Sequence, residues 1–166
     1  MDDQLLRGER VTLTRLNNNG DAGELPVFSP VTLHRSASCM PGGVYFKIVE
    51  SHDGRAMGVV GLYDMDPKTE TAWLQLDLNE AEAYDRDHEM EALMLVLRYA
   101  FTELSLHRIN LDLITENEKR IGFFEDCGFR YEGTQREVLC AGDAHLGIIN
   151  MGALRSEWTR AGSITA

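Results

Sequence analysis

The side chains best suited to chemistry are concentrated in one short stretch, 84–92, with the sequence YDRDHEMEA. It holds four carboxylates, one arginine and one histidine, so it is strongly acidic at neutral pH. Three interpretations fit these residue types. The carboxylates can cap and stabilise the start of a helix, they can belong to a modified ligand site, or they can hold a cation or cationic ligand together with His88. Their spacing matches no specific metal-binding motif, so no metal ligands are predicted.

Three polar residues outside this stretch are of interest for their side-chain chemistry: Asp77, Asn117 and His145. Asp77 lies in a strand-like stretch and can act as a general base or bind a cationic group. A lone strand carboxylate can equally be solvated or paired with a basic side chain. Asn117 begins a helical stretch and can cap it whether or not a ligand is present. His145 is a second candidate base, although a histidine on a terminal hairpin can also be merely exposed.

Strands are predicted wherever polar and apolar residues alternate with period two. The pair Asp53-Gly54 is a strong hairpin signal between two of them. In the stretch that contains Asp77, polar and aromatic residues on one face alternate with leucines on the other. The stretches predicted to be strands are 10–16, 44–50, 56–64, 70–78, 107–115, 129–140 and 144–154.

Apolar residues recur at helical spacing over 87–104, which predicts a long helix that begins in the acidic stretch. A second amphipathic helix is predicted over 116–129, with Gly128 at its C-terminal end. Helices that alternate with the later strands permit one parallel strand pair. The chain is therefore predicted to form a single α/β domain over 1–166, with a mixed, mostly antiparallel sheet. Within it, 17–43 is expected to be irregular and 156–166 to form a tail.

Charge and cysteine content restrict the classes of partner. The formal net charge is −11, which argues against a nucleic acid or an anionic membrane surface because both require clustered Lys and Arg. An acidic surface is compatible with a cationic amine or a basic peptide as substrate, and equally with a surface that only keeps the protein soluble. Cys39, Cys127 and Cys140 are widely separated, which favours reduced thiols and a cytoplasmic location.

Six segments spread over most of the chain carry a recognisable pattern. They are LRGERVTLTRL, GVVGLYDMDP, AWLQLDL, EALMLVLRYAFTELSLHRI, ENEKRIGFFEDCGFRYEG and INMGAL. These segments resemble the GNAT acyltransferase superfamily, in particular the branch that includes the ribosomal-protein N-terminal-alanine acetyltransferases and related polyamine and antibiotic acetyltransferases of bacteria. The most specific string is N-x-x-x-I-x-x-[FY]-E-x-x-G-F, which runs here from Asn117 to Phe129.

The resemblance implies a GNAT fold, in which helices flank a sheet that is splayed between its fourth and fifth strands. It also implies that acetyl-CoA lies in this split, with its pantetheine arm along AWLQLDL and its pyrophosphate at the start of the following helix. The residues expected to contact acetyl-CoA are Leu76, Leu78, Arg86, Asp87, His88, Glu89, Met90, Asn117, Arg120 and Phe124. Those expected to take part in catalysis are Asp77, Asn117 and His145.

The acidic stretch departs from the family pattern at the pyrophosphate loop. Matching Glu91 and the following alanine to the end of that loop puts Asp85 and Asp87 where the family has glycines. Glycine allows the backbone to approach a phosphate closely, whereas an aspartate side chain fills the space and repels the phosphate. Acetyl-CoA is the expected cofactor, but a conventional pyrophosphate site is disfavoured, with Arg86 able to offset part of the repulsion.

The function implied is transfer of an acetyl group from acetyl-CoA to an amine of a small molecule or peptide. Phe124 stands where the family often carries a general-acid tyrosine, so the leaving thiolate would be protonated by water or another group. Two alternatives remain open: a GNAT-like protein repurposed for different chemistry in specialised metabolism, and a non-catalytic binding or regulatory subunit. An enzyme is favoured, and a homodimer is a further expectation because dimers are common among similar proteins.

Overall fold

The computed structural model describes residues 5–16, 29–30, 42–78, 85–114 and 118–162 of the chain. Within these ranges it contains nine strands and three helices. The strands are β1 (Leu5–Arg7), β2 (Val11–Arg15), β3 (Ser29–Pro30), β4 (Val44–Glu50), β5 (Ala56–Asp66), β6 (Thr71–Leu78), β7 (Arg108–Leu113), β8 (Arg130–Ala141) and β9 (Ala144–Leu154). The helices are α1 (Arg86–Thr102), α2 (Glu118–Asp126) and α3 (Arg155–Gly162).

All of these strands belong to one sheet with the order β1-β2-β4-β5-β6-β7-β9-β8, and β3 pairs with β6 off this path. Among the described strands, β6 and β7 form the one parallel pair and the other pairs are antiparallel. The helix α1 connects β6 to β7, as a parallel connection requires. The predicted mixed, mostly antiparallel α/β architecture is therefore confirmed.

The sheet is split between β6 and β7. These strands pair over three residues each, and the last pair is Trp73 with Asn110. On its other edge, β6 pairs with β5 as far as Leu78. The two residues of β3, which pair with Asp77 and Leu78, therefore lie on the edge of β6 that faces β7. This geometry confirms the predicted splay between the strands that correspond to the family's fourth and fifth.

The main hydrophobic core lies between α1, α2 and one face of the sheet. Leucines of β6 and alternate residues of β7 enter this core, together with much of α1. A second, smaller cluster on the opposite face consists of Tyr45, Val59 and Tyr63, with Leu16 and Trp73 packed against it. Because side chains alternate along β6, the residues between its core leucines point to the second face.

Helix α2 ends as its sequence predicts. Gly128 has φ = 100°, a left-handed conformation that glycine adopts without steric cost. Its N–H donates to the carbonyl of Glu125 at 3.0 Å, and the N–H of Phe129 donates to the carbonyl of Phe124 at 3.0 Å. These bonds satisfy carbonyls at the helix end and direct the chain into β8.

Three elements were not predicted: β1, the two-residue β3 and α3. Strand β1 has three residues, too few to show an alternating pattern, and α3 occupies much of the segment expected to be a tail. Trp158 of α3 packs against Phe101 of α1, with ring centroids 5.5 Å apart. The predicted irregular segment 17–43 and Cys39 fall largely outside the described residues. No helix in the described part of the chain is long and apolar enough to cross a membrane.

Candidate active site

Asp85 is the N-cap of α1, so the acidic stretch is a helix start. Its backbone is extended, with φ = −70° and ψ = 114°, and its side chain accepts a 3.1 Å hydrogen bond from the backbone N–H of Asp87. This hydrogen bond holds the pKa of Asp85 below its usual value. The helix-cap interpretation is therefore confirmed. A protein carboxylate already occupies a backbone N–H group of the kind that binds phosphate at helix starts.

Asp87 and His88 connect α1 to neighbouring strand ends. A carboxylate oxygen of Asp87 lies 3.6 Å from a guanidinium nitrogen of Arg10, and the Asp87 side chain is 61% exposed. His88 is largely buried, with Nδ1 3.2 Å from a carboxylate oxygen of Asp85 and Nε2 3.6 Å from one of Glu50. Within the described ranges, no group of three or more His, Cys, Asp or Glu side chains is arranged to hold a metal ion.

Glu89 and Arg120 form a buried ion pair that ties α1 to α2. The Glu89 side chain is 4% exposed and the Arg120 side chain 23%. Arg120 Nη1 donates to Glu89 Oε2 at 2.8 Å, and Nη2 donates to the other oxygen. The guanidinium also lies over the rings of Phe123 and Phe124, 4.8 Å and 5.0 Å from their centroids. Two residues expected to contact acetyl-CoA are thus engaged with each other inside the protein.

Arg86 makes a second connection between the same helices. Its guanidinium pairs with the carboxylate of Asp126 near the end of α2. Arg86, expected to offset phosphate repulsion, is therefore partly neutralised in this structure. Cys127 is the next residue along the chain, and its burial, reinforced by the nearby charges of Glu89 and Asp126, raises its pKa to about 12. Its thiol therefore stays protonated at neutral pH and belongs to the core.

Glu91 has a role that sequence reasoning missed. Its carboxylate accepts hydrogen bonds from the backbone N–H groups of Glu9, Arg10 and Val11, at 2.9, 2.7 and 2.8 Å. The turn between β1 and β2 is therefore fixed onto α1. Gly8 allows this close approach, because a Cβ atom there would lie 2.5 Å from the Glu91 carboxyl carbon.

Asp77 lies on β6 four residues after Trp73, the last β6 residue that pairs with β7. Its carboxylate accepts a 2.6 Å hydrogen bond from the side-chain amide of Gln75, a buried neighbour two residues away on the same face. Leu76 and Leu78 point to the opposite face and are buried in the main core. Any contact from these leucines to a ligand in the split would therefore come from their backbone. Beyond Trp73 this edge of β6 diverges from β7, and at Asp77 and Leu78 it pairs with the two residues of β3.

The remaining predicted site residues do not gather around Asp77. Phe124 is fully buried, with its ring edge-on to that of Phe129, and Met90 is partly buried against the core. His145 is exposed near the β8–β9 turn, opposite Cys140. His145 precedes Ile149, the first β9 residue that pairs with β7, by four residues. This separation is about 13 Å along the strand. Asn117 lies outside the described residues.

Sequence reasoning also missed Asp112, on the polar face of β7. It pairs across the sheet with Asn150, whose side-chain amide donates to the Asp112 carboxylate at 2.6 Å. In INLDL, polar residues alternate with the buried isoleucine and leucines, so the pattern places Asp112 on the polar face of β7 but does not indicate its partner.

The structure contains two clefts with a volume of about 460 Å³ each. One separates α2 from the β8–β9 hairpin and is lined by residues that include Ile121 and Tyr131. The other is bounded by the β1–β2 turn, α1 and α3, and its lining includes Arg7, Arg98 and Trp158. Neither is lined by Asp77 or by Asp112.

Comparison with known families decides how this arrangement is to be classified. The model of the GNAT acetyltransferase domain matches residues 32–146, more than half of the chain. The chain belongs to the GNAT acetyltransferase family. The GNAT fold predicted from the sequence is thereby confirmed, and the split between β6 and β7 is its characteristic opening.

Several GNAT proteins are similar in sequence. A SPbeta prophage-derived uncharacterized N-acetyltransferase of Bacillus subtilis strain 168, YokL, is 29% identical over 68% of this chain and 63% of its own length. The probable N-acetyltransferase YjcK of the same strain is 33% identical over 56% of this chain and 51% of its own length. The spermidine N(1)-acetyltransferase of Vibrio cholerae is 27% identical over 67% of this chain and 64% of its own length. The chain thus spans about half to two thirds of these relatives.

A solved GNAT structure confirms the fold. The spermidine/spermine N-acetyltransferase SpeG of Vibrio cholerae, in complex with manganese ions, superposes on this chain with a TM-score of 0.67 at 23% sequence identity. The superposition covers 73% of this chain and 70% of that one. A point mutant of the same protein gives the same TM-score over 74% and 70% of the two chains.

Proposed function

We propose that this protein is an N-acetyltransferase that transfers an acetyl group from acetyl-CoA to an amine of a small molecule or peptide. Membership of the GNAT family supports an enzyme of this class. Acetyl-CoA is a cytoplasmic metabolite, so the proposal agrees with the location expected from the cysteine content. The single observation that carries the proposal is the position of Asp77, a carboxylate on the edge of β6 where the sheet opens.

The pantetheine arm and the pyrophosphate of acetyl-CoA would contact chemically different parts of this protein. Beyond Trp73, the edge of β6 diverges from β7, and β3 pairs with that edge at Asp77 and Leu78. A pantetheine arm that pairs with strand backbone would therefore have to lie along the part of β6 between Trp73 and Asp77. The start of α1 fits the pyrophosphate poorly, because Asp85 caps the helix with its own carboxylate and Asp87 is exposed beside it. The pantetheine half therefore has only a short stretch of the β6 edge to pair with, and the pyrophosphate must bind more weakly or in another position.

When bound, acetyl-CoA supplies an activated acetyl group as a thioester that a neutral amine can attack. The task of the chain is to hold the amine and to take up its proton. Asp77 has the right chemistry and lies on the strand expected to hold the donor, and Gln75 fixes its carboxylate by a 2.6 Å hydrogen bond. Phe124 is buried and has no proton to donate. The thiolate is therefore protonated by water, and protons balance because the amine releases one and the thiol gains one.

A non-catalytic binding role is favoured by one specific observation. The backbone N–H of Asp87, at the start of α1, already has a carboxylate partner, and two exposed aspartates surround this position. A protein that had lost ordinary acetyl-CoA binding would show these features. The two functions make different predictions for acetyl-CoA binding and for turnover, so both can be tested in one set of assays.

The experiment combines acetyl-CoA with a panel of amines that includes spermidine, diaminobutane and a short peptide. Released thiol and acetylated product are both measured, the latter by mass spectrometry. The expected result is one thiol per acetylated amine. The matched variant is Asp77→Asn, which preserves an acceptor for Gln75 and removes the base. It should lower kcat by about a hundredfold, the usual scale for loss of a general base.

Three outcomes separate the possibilities. Transfer by the natural protein that is lost in Asp77→Asn supports the proposal. Binding of acetyl-CoA without thiol release from any amine would refute transfer to these acceptors. Absence of both thiol release and a thermal shift at millimolar acetyl-CoA would refute acetyl-CoA as the donor and would support the non-catalytic role. Thermal unfolding of Asp77→Asn, compared with the natural protein, checks that the substitution has not unfolded the domain.

A further inference from the structure

Gln75 is a buried polar side chain with an unpaired oxygen. Within the described ranges, Gln75 and Glu89 are the two polar or charged residues that are buried, and Gln75 is 3% exposed. Glu89 is paired with Arg120, whereas the side-chain carbonyl oxygen of Gln75 has no hydrogen-bond partner. A buried acceptor without a donor costs free energy, because folding has removed the water that would otherwise bond to it. The fold therefore holds an acceptor for which a ligand can supply the donor.

The orientation of the Gln75 amide is determined by Asp77. The side-chain nitrogen of Gln75 donates to the Asp77 carboxylate at 2.6 Å. A carboxylate accepts hydrogen bonds, so the nitrogen of the amide faces it, and turning the amide over would bring two acceptors together. Asp77 has further interactions, and its carboxylate does not depend on Gln75 alone. The bond nevertheless decides that the oxygen of Gln75 is the atom left for another donor.

Gln75 lies at the middle of the stretch of β6 that borders the opening. Trp73 is the last β6 residue paired with β7, and β3 pairs with β6 at Asp77. Three residues lie between these two pairings, with Gln75 at their centre. Its two neighbours in sequence are leucines that enter the main core, so the Gln75 side chain points to the opposite face, as Asp77 does.

Aromatic rings lie beside Gln75 on this face. Trp73 packs against the second cluster, which includes Tyr45 and Tyr63. Gln75 pairs across the sheet with Gly61 of β5. The ring of Tyr45 covers that glycine, because a Cβ atom there would lie 2.2 Å from Tyr45 Cδ1. Surroundings of low polarity strengthen a hydrogen bond and raise the cost of a missing one, so a donor that reaches Gln75 is bound and oriented there.

We propose that the Gln75 carbonyl oxygen accepts a hydrogen bond from the amine that attacks acetyl-CoA, and thereby orients that amine. The inference rests on the proposed N-acetyltransferase function, in which Asp77 takes up the proton of the amine. A pantetheine arm that pairs with β6 uses backbone atoms in the plane of the sheet, whereas Gln75 and Asp77 project from one face of it. The amine is therefore the donor that both side chains can reach.

The number of N–H groups on the amine then determines how well it reacts. A neutral primary amine has two. One donates to Asp77, which takes its proton as the N–C bond forms and the C–S bond breaks, and the thiolate takes a proton from water. The other donates to Gln75, and its hydrogen remains on the nitrogen of the product. With both groups held, the lone pair is directed at the thioester carbon. A secondary amine has one N–H and leaves Gln75 unpaired, so the chain should prefer primary amines.

The test measures acetyl transfer to butylamine and to N-methylbutylamine by the natural protein, Gln75→Met and Gln135→Met. Methionine is unbranched and flexible but lacks a strong acceptor. The natural protein should have the higher kcat/KM for butylamine, and Gln75→Met should reduce this preference about tenfold, the scale of one neutral hydrogen bond. Both rates also fall because Asp77 loses a bond, so the ratio is the readout. Gln135→Met, the same change at an exposed position of β8, should leave the ratio unchanged.

A natural protein without a preference for butylamine would overturn the inference, whether or not Gln75→Met folds. An equal loss of activity towards both amines in Gln75→Met would overturn it too, because it would indicate a structural role. If the natural protein acetylates neither amine, the separate amine panel decides the proposed function, and an NMR titration with butylamine alone decides the inference. Weaker binding to Gln75→Met than to the natural protein and Gln135→Met supports it, whereas equal binding, or none, refutes it.

Discussion

At the scale of single residues, the four carboxylates of the acidic stretch have four different tasks. Asp85 caps α1, Asp87 pairs with Arg10, Glu89 forms a buried pair with Arg120, and Glu91 binds three backbone N–H groups of the β1–β2 turn. These four carboxylates therefore connect the helix start to its own backbone, to the β1–β2 turn and to α2. The same cluster leaves two exposed negative charges, Asp85 and Asp87, at the start of α1.

Neutralising those two charges should strengthen acetyl-CoA binding. In the double variant with Asp85→Asn and Asp87→Asn, asparagine retains the capping geometry while both repulsive charges disappear. Because these side chains are 57% and 61% exposed, water screens the repulsion, and we expect the Kd for acetyl-CoA to fall by about tenfold. Isothermal titration calorimetry measures this directly.

The matched control for that experiment is Glu125→Gln with Asp143→Asn, two exposed carboxylates on α2 and on the β8–β9 turn. It changes the net charge equally and should leave Kd unchanged. Equal tightening in both double variants would show that only the overall charge matters. No tightening in either would mean that acetyl-CoA phosphates lie far from the start of α1.

The cap at Asp85 could be predicted from the sequence because capping depends on residues within one turn. The tasks of Glu89 and Glu91 could not, since their partners lie 31 and about 80 residues away in the chain. A glutamate in the first turns of a helix looks the same in sequence whether it faces a ligand, an arginine or a strand turn. Arg120 was predicted to contact the cofactor, and its pairing with Glu89 was not foreseen.

At the scale of elements, α1 and α2 are joined across the core by the Glu89–Arg120 pair. Arg120→Met should destabilise the protein by about 3–5 kcal/mol, because it leaves the buried Glu89 carboxylate without its partner. The double variant with Glu89→Leu should recover most of that loss, since both charges are then absent. The free energy of unfolding from urea denaturation measures both effects, and a double variant no more stable than Arg120→Met would contradict the buried-pair account.

Element boundaries were predictable where a pattern repeats over enough residues. The strand 44–50 was predicted with the bounds that the structure has, and the helix predicted over 87–104 is observed as Arg86–Thr102. The short β1 and the largely polar α3 lack such a repeat. Pairing between strands distant in sequence, such as β7 with β9, could not be predicted from local pattern, because register depends on tertiary contacts.

At the scale of the whole molecule, several carboxylates couple stability to pH. Hydrogen bonds from Arg108 hold the pKa of Glu132 below its ordinary value of 4.5, and backbone hydrogen bonds lower the pKa values of Asp53 and Asp85. A lowered pKa stabilises the folded state above the ordinary pKa. That stability is lost as the pH falls through the ordinary pKa towards the lowered one.

The free energy of unfolding should therefore decrease as the pH is lowered below about 4.5, the ordinary pKa of Glu132. Glu132→Gln, which cannot titrate, should show a shallower decrease than the natural protein over the same pH range. Glu125→Gln, an exposed change on α2, is the control and should follow the natural protein. Identical slopes for all three proteins would mean that the Arg108–Glu132 pair between β7 and β8 does not contribute to acid sensitivity.

The central claim is that the split between β6 and β7 is an acetyl-transfer site. Its most direct test uses acetyl-CoA with an isotopically labelled acetyl group, an excess of diaminobutane and mass-spectrometric detection of the product. The account predicts labelled acetyl-diaminobutane in amounts equal to the thiol released, with both greatly reduced in Asp77→Asn. Product formed equally well by Asp77→Asn, or no labelled amine with any acceptor in the panel, would contradict it.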